Sequence, residues 1–82
     1  MPSKRITIEY YAILKEQRGK REETIETAAV TPRELYTELK SRHGFKLSSQ
    51  NLRLAVNDEF ANWNTPLRAG DRVIFIPPVA GG

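Results

Sequence analysis

Residues 73–82 read Val73-Ile74-Phe75-Ile76-Pro77-Pro78-Val79-Ala80-Gly81-Gly82, a dense apolar run that breaks into two prolines and stops on two glycines. Proline has no backbone N–H to donate to a sheet, so Pro77 and Pro78 end a strand and keep the following chain extended. Six residues at about 3.3 Å each give residues 77–82 a reach of roughly 20 Å. The pattern predicts a buried strand that leads into an extended tail.

Residues 77–82 have two possible interpretations. Chain ends are where disorder concentrates, so a frayed terminus is the simpler one. Disordered segments are usually polar, however, and this one carries no charge before its terminal carboxylate. The composition therefore favours insertion into a narrow slot of a partner protein, with the carboxylate of Gly82 as the reactive group. The residues expected to occupy that slot are Pro77, Pro78, Val79, Ala80 and Gly81.

The composition is that of an ordinary small globular protein. The chain has 82 residues, 39% hydrophobic and 28% charged, which suits one domain with a modest core. It contains no run of about 18 apolar residues and no signal-peptide pattern, so we expect a cytoplasmic protein without a membrane partner. Thirteen Lys and Arg against ten Asp and Glu give a net charge of +3. Because the basic residues are scattered, they do not predict nucleic-acid binding.

Residue types that are missing also restrict the chemistry. Without cysteine the chain has no thiolate nucleophile and no side chain on which to carry a persulfide. Its single histidine, His43, falls at the expected end of a helix, where it would complement the helix dipole. The isolated glycines form no phosphate-binding motif. The sequence therefore predicts no self-contained active site, no metal site and no bound cofactor.

The first part of the chain predicts two strands joined by a helical turn. Residues 6–11 alternate apolar and polar side chains, as in a strand with one buried face. Residues 12–18 are good helix formers and end at Gly19, which predicts a short helical turn. Residues 21–27 are mostly charged or threonine, as expected of a soluble edge strand.

The main helix has the clearest local signal. Thr31-Pro32-Arg33-Glu34 matches an N-cap, a proline at the first helical position and a glutamate able to close a capping box. Val30 and Leu35 stand at the positions of a hydrophobic staple. We expect the helix to run from Pro32 to Arg42 or His43, before a left-handed cap at Gly44.

The second part of the chain predicts three more strands. Alternation of Leu52, Leu54 and Val56 indicates a third strand, residues 60–61 a very short fourth one, and residues 73–76 the last. The order β, β, α, β, β, β predicts an α+β roll, in which one mixed sheet packs one face against one main helix. We assign residues 1–76 to this domain and residues 77–82 to the tail.

One face of the predicted sheet has no helix to cover it. In the last strand the residues on both faces are apolar. If Val73 and Phe75 face the helix, Ile74 and Ile76 therefore point outward. A central strand with two buried faces would explain the apolar run of residues 73–76 equally well, but a second helix or layer would then have to cover the outer face. Tyr11, Phe60, Ile74 and Ile76 therefore form a candidate partner surface.

Several segments carry a resemblance to a known family. They are Tyr11-Ala12-Ile13-Leu14-Lys15-Glu16 with Gly19, Ala55-Val56-Asn57, Pro66-Leu67 with Gly70-Asp71, and the ending from Phe75 to Gly82. Over nearly its full length the chain resembles the small subunit of molybdopterin synthase, a ubiquitin-like sulfur carrier. The Pro-Pro-Val-x-Gly-Gly ending is the most specific feature.

The resemblance implies a β-grasp fold and a division of labour among proteins. An ATP-dependent adenylyltransferase would activate Gly82 as an acyl-adenylate, a sulfurating step would convert it to a thiocarboxylate, and the tail would enter the large synthase subunit of a heterotetramer. There it would donate sulfur to a pyranopterin precursor in molybdenum cofactor biosynthesis. The chain would be non-catalytic alone, with catalytic residues on the large subunit and ATP used by the activating partner.

Two alternatives share the activated glycine. A thiamine-type sulfur carrier has the same fold and a Gly-Gly end but is typically shorter. A ubiquitin-like protein modifier would instead form isopeptide bonds with lysines. Activation is common to all three, and only the acceptor differs.

Overall fold

A computed structural model describes residues 3–78, which form one five-stranded sheet and two helices. In chain order the elements are β1 (Lys4–Tyr10), α1 (Ala12–Arg18), β2 (Glu22–Thr27), α2 (Pro32–His43), a short 3₁₀ turn (Ser49–Asn51), β3 (Arg53–Val56), β4 (Glu59–Ala61) and β5 (Arg72–Ile76). The strand order is β2-β1-β5-β3-β4. β1 and β5 are parallel and the other neighbouring pairs are antiparallel. The predictions for Val79, Ala80, Gly81 and Gly82 lie outside the described residues.

The predicted α+β roll is confirmed, with one addition. Residues 12–18 form a complete helix, α1, and not only a turn. The helix ends as expected at Gly19, whose φ of 79° is left-handed and whose N–H donates to the Lys15 carbonyl at 2.8 Å. It is held in place because Leu14 is fully buried in the main core.

The core lies between α2 and one face of the two central strands. From β1 it takes Ile6, Ile8 and Tyr10, and from β5 it takes Val73 and Phe75, all with no exposed surface. α2 contributes the buried residues Leu35, Tyr36 and Leu39. We call the sheet face against this core the inner face and the opposite one the outer face.

Three aromatic side chains close one end of the core. The ring of Phe75 lies 5.2 Å from that of Tyr36 and 5.9 Å from that of Trp63, centroid to centroid. Trp63 comes from residues 62–66, which the sequence pattern leaves irregular. Its packing shows that this loop contributes to the fold, because aromatic pairs at such distances add to the energy of burial.

The start of α2 follows the predicted capping chemistry with one shift. The Thr31 hydroxyl accepts a hydrogen bond from the Glu34 N–H at 3.3 Å, as an N-cap does. The Glu34 carboxylate accepts from the N–H of Val30 at 3.1 Å, and so closes on the residue before the cap. Val30 is 47% exposed and Leu35 is fully buried, and the hydrophobic staple between them stays a prediction.

His43 ends α2, as predicted, but its surroundings differ from those of an exposed capping cation. The side chain is largely buried, and its Nε2 lies 3.8 Å from Oε2 of Glu23. Burial lowers the pKa of His43, with the nearby Arg18 adding to the effect. The neutral imidazole is therefore favoured, and the Gly44 N–H caps the helix by donating to the Lys40 carbonyl.

Residues 3–78 contain no helix that is long and apolar enough to cross a membrane. The same residues bring together no group of three His, Cys, Asp or Glu side chains able to hold a metal ion.

Candidate partner-binding face

The outer face carries an apolar strip that crosses three strands. Strand register places Phe60 opposite Ala55 and Ala55 opposite Ile74. These positions alternate with Leu54, Val73 and Phe75, which occupy the core, so they point to the outer side. Ala55 is buried although it lies outside the core cluster. We call Phe60, Ala55, Ile74 and Ile76 the apolar strip.

The four residues predicted as a partner surface divide into two groups. Phe60, 75% exposed, lies at the β4 end of the strip. Tyr11, 43% exposed, follows the end of β1 and meets Ile76 at the other end, where both line one cleft. Ile74 and Ile76 are half-buried and connect the groups along β5. The arrangement suits a partner surface, which remains a prediction.

The tail root, Pro77 and Pro78, leaves the sheet at the end of β5. Pro77 is buried and Pro78 is exposed, so the described chain ends at the protein surface. On one side lies an apolar cleft of about 570 Å³. Besides the tail root, it is lined by Tyr11, Ala12, Ile13, Glu16 and Ile76.

Ile13, for which the sequence pattern predicted no role, is exposed and lines this apolar cleft. A signal was present, because consecutive helical residues point about 100° apart. With Leu14 buried, Ile13 had to face another direction.

The residue before Ile13, Ala12, has a φ of +52°, a left-handed conformation that costs roughly 1–2 kcal/mol for an L-residue. A strained backbone therefore adjoins the tail root.

A second cleft lies on the other side of the tail root. It measures about 360 Å³ and is more polar, with Gln50, Asn51, Leu52 and Arg53 facing Ile76, Pro77 and Pro78. Arg53 reaches this position because it pairs in register with Ile76 across β3 and β5. None of these polar residues was predicted as part of a site, because the pairing joins positions 23 residues apart (76 − 53).

A charged cluster adjoins the apolar strip at its β1 side. The Arg72 guanidinium donates to carboxylates of both Glu9 and Glu22. The hydrogen bond from Arg72 lowers the pKa of Glu9, and the same contact raises the pKa of Arg72. Glu9 also accepts from the Tyr11 hydroxyl at 2.9 Å. The cluster connects three separate segments, so no local sequence pattern could have identified it.

Comparison with known proteins gives a family and several related structures. A model of the ThiS family matches residues 8–82. A putative molybdopterin converting factor subunit 1 from Pyrococcus furiosus is 29% identical, with a TM-score of 0.76, and the match covers 94% of this chain and 100% of that one. Comparison with curated proteins gives no significant match.

Two related structures are complexes. A chain from the complex of subunits 1 and 2 of molybdopterin-converting factor from Helicobacter pylori 26695 is 30% identical, with a TM-score of 0.64 and coverage of 95% of this chain and 99% of that one. A chain of the BexX/CysO complex from Amycolatopsis orientalis is 25% identical, with a TM-score of 0.68 and coverage of 94% and 99%.

The family model covers nearly the whole chain, and the sheet order and the related structures agree with a β-grasp fold. The chain therefore belongs to the ThiS family and is a ubiquitin-like sulfur carrier.

Proposed function

We propose that this protein is the sulfur-carrying small subunit of a molybdopterin synthase. The observation that carries the proposal is the position of the apolar strip, which leads along β5 directly to the tail root. A partner seated on the strip would receive residues 77–82 in the same event. The Pro-Pro-Val-Ala-Gly-Gly ending and the two molybdopterin converting factor relatives favour this pathway over others.

The chemistry starts at the Gly82 carboxylate, because an α-carboxyl group with its ordinary pKa of about 3.5 is ionised at neutral pH. A carboxylate oxygen attacks the α-phosphorus of ATP on an activating enzyme, and pyrophosphate leaves. Adenylation is needed because oxide is too poor a leaving group for direct replacement by sulfur. A sulfide equivalent from a donor protein then attacks the acyl carbon, AMP leaves, and a thiocarboxylate remains.

The later step takes place on the large subunit. There the thiocarboxylate sulfur displaces an oxygen substituent from a carbon of a pyranopterin precursor. Water then hydrolyses the resulting thioester, which leaves the sulfur on the pterin and restores the Gly82 carboxylate. Since the chain has no cysteine, its terminal carbonyl is the position suited to carrying sulfur. The partners supply the catalytic residues, because enclosing the tail positions the acyl group and excludes water. The chain itself holds no cofactor and acts in the cytoplasm.

Intact mass spectrometry tests the sulfur-carrier chemistry. The chain is purified from cells able to sulfurate it, and a mass increase equal to the replacement of one oxygen by sulfur is expected. Oxidation of Met1 gives nearly the same increase, so the modified species is fragmented. A thiocarboxylate maps to the fragment that ends in Gly82 and reacts with an alkylating reagent, although the chain lacks cysteine.

Reconstitution with partners then identifies the acceptor. Formation of a dithiolene pterin with the large subunit supports the proposal. Thiazole formation would instead assign the chain to thiamine-type carriers, and a terminus recovered only in lysine conjugates would assign it to the protein modifiers.

Deletion of Gly82 tests the mechanism more directly. We expect sulfur transfer to be abolished and the fold to be unchanged, because the described core ends before the tail. Adding one residue after Gly82 should have the same effect, whereas adding one residue before Met1 is the matched control. Sulfur transfer by the shortened chain would contradict the proposed mechanism.

A further inference from the structure

Two arginines on the outer face have contrasting surroundings. Arg72 donates to Glu9 and Glu22, so its charge is compensated within the protein. Arg53 is exposed, and its guanidinium forms no hydrogen bond or salt bridge within residues 3–78. The charge of Arg53 is therefore available to a group from outside the described chain.

Arg53 lines the polar cleft at the tail root. The cleft of about 360 Å³ is also lined by Gln50 and Asn51, and by Pro77 and Pro78 at the tail root. A guanidinium offers five N–H donors in a planar fork, and each amide offers two more. This donor set matches a carboxylate, which can accept two hydrogen bonds from an arginine side by side.

We propose that this cleft binds a carboxylate side chain, from Asp or Glu, of the protein that receives the tail. The inference rests on the proposed function, in which residues 77–82 enter a partner. Because Arg53 lies beside the tail root, the ion pair forms at the mouth of the partner's tunnel. Arg53 is thus a specificity-determining residue for the partner, not a catalytic one.

The other charges at the far end of the outer face do not neutralise Arg53. Arg72 bonds to Glu9 and Glu22, and Arg21 adds a further positive charge near Glu9. Three strand spacings and two residues along a strand separate Arg53 from Glu22, a distance of about 16 Å. That distance exceeds the Debye length of about 8 Å, so Arg53 acts as a separate positive charge.

Association kinetics with the large subunit from the same organism test this inference. We compare Arg53→Glu with Lys46→Glu, because Lys46 is exposed in the loop after α2 and both variants undergo the same charge change. Arg53→Glu is expected to slow association about tenfold at low salt, while Lys46→Glu stays within about twofold of the wild type. The difference should shrink between about 0.05 and about 0.5 M salt, because ions screen exposed charges.

A graded series separates charge from geometry. Arg53→Gln removes the attraction without adding repulsion, so its effect should be smaller than that of Arg53→Glu. Arg53→Lys keeps the charge but loses the fork that binds both carboxylate oxygens, and it should lie between Arg53→Gln and the wild type. Circular dichroism of each free variant verifies that the fold is retained.

One competing occupant is the Gly82 carboxylate of the same chain. In that case Arg53→Gln would raise the pKa of the terminal carboxylate in the free protein, as followed by NMR titration, and leave association unchanged. This result would overturn the inference.

The possible failures can be told apart. If the wild type binds the large subunit and Arg53→Glu behaves like Lys46→Glu, the inference is wrong and the proposed function stands. If the wild type binds neither the large subunit nor an ATP-dependent activating enzyme, both are overturned.

Discussion

The two faces of β5 have similar composition and opposite environments. Val73 and Phe75 on the inner face are completely buried, whereas Ile74 and Ile76 on the outer face are only half-buried. Leu14 of α1 and Leu35, Tyr36 and Leu39 of α2 all belong to the core cluster, so the two helices of residues 3–78 leave the outer positions without similar cover. One apolar run thus serves two purposes, because alternate residues build the core and the others remain available to a partner.

The largest effect expected on the inner face comes from Phe75→Ala. Removing a fully buried aromatic ring that contacts Tyr36 and Trp63 should lower the free energy of unfolding by about 3–5 kcal/mol. Urea denaturation followed by far-UV circular dichroism measures the change. Ile74→Ala, one position away on the outer face, is the matched control and should cost less than about 1.5 kcal/mol because Ile74 is only half-buried. Equal losses would contradict the division between the faces.

The outer face should show the opposite behaviour with Ile76→Asp. The free energy of unfolding should change little, but binding of the large subunit should weaken by at least about 1.5–3 kcal/mol, plus the cost of burying a charge. Isothermal titration calorimetry provides the affinity. Thr24→Asp adds the same charge on β2, away from the apolar strip, and should leave binding nearly unchanged. An unaltered affinity for Ile76→Asp would remove Ile76 from the interface.

Regular elements could be predicted from local patterns because their signals lie within a few residues. The Thr31-Pro32-Arg33-Glu34 start placed α2 correctly, and alternation placed the strands to within about two residues. The alternation of side chains between the two faces of β5 correctly assigned Val73 and Phe75 to the core. These features depend on helix and strand propensities and on the alternation of side chains in a strand, and both can be recognised in the local sequence.

Features that depend on distant pairing could not be predicted in the same way. The Arg72 cluster and the Arg53 cleft arise only when β5 lies between β1 and β3. His43 was expected to cap a helix as a cation, but burial, together with the nearby Arg18, lowers its pKa and favours the neutral form, although Glu23 acts in the opposite direction.

Two consecutive glutamates provide a finer comparison of the faces. Glu23 pairs in register with the buried Ile8 on the inner side, whereas Glu22 pairs with Glu9 on the outer side. The Glu23 side chain is 10% exposed and that of Glu22 is 48% exposed. Hydrogen bonds from Arg18, and also from the Tyr10 hydroxyl, lower the pKa of Glu23 from 4.5 to about 2.

Glu23→Gln should therefore lower the free energy of unfolding at pH 7 by about 1–3 kcal/mol. Because the folded protein holds the ionised carboxylate, this contribution is present above pH 4.5 and is lost as the pH falls to about 2. Denaturant titrations across that range should show the wild type and the variant converging. Glu22→Gln is the control, and its effect should stay below about 1 kcal/mol, as is usual for exposed ion pairs. A difference between Glu23→Gln and wild type that does not vary with pH would contradict the assigned cause.

His43→Ala should have the smallest effect. His43 lies beside Glu23, with Nε2 3.8 Å from the Glu23 carboxylate, but it titrates in another pH range. The ring packs 5.7 Å from that of Phe45, so its loss should cost about 1 kcal/mol at pH 7.

Burial lowers the pKa of His43 in the folded protein below 6.5, which means that the unfolded chain binds a proton more readily. The wild type should therefore lose stability as the pH falls below 6.5, and the variant should not show this loss. Paired denaturant titrations above pH 4.5 separate this effect from that of Glu23, since Glu23 remains ionised there. A wild-type advantage that grows as the pH falls would show that the proton stabilises the folded His43. Sulfur transfer should be unchanged, because the proposed chemistry takes place at Gly82.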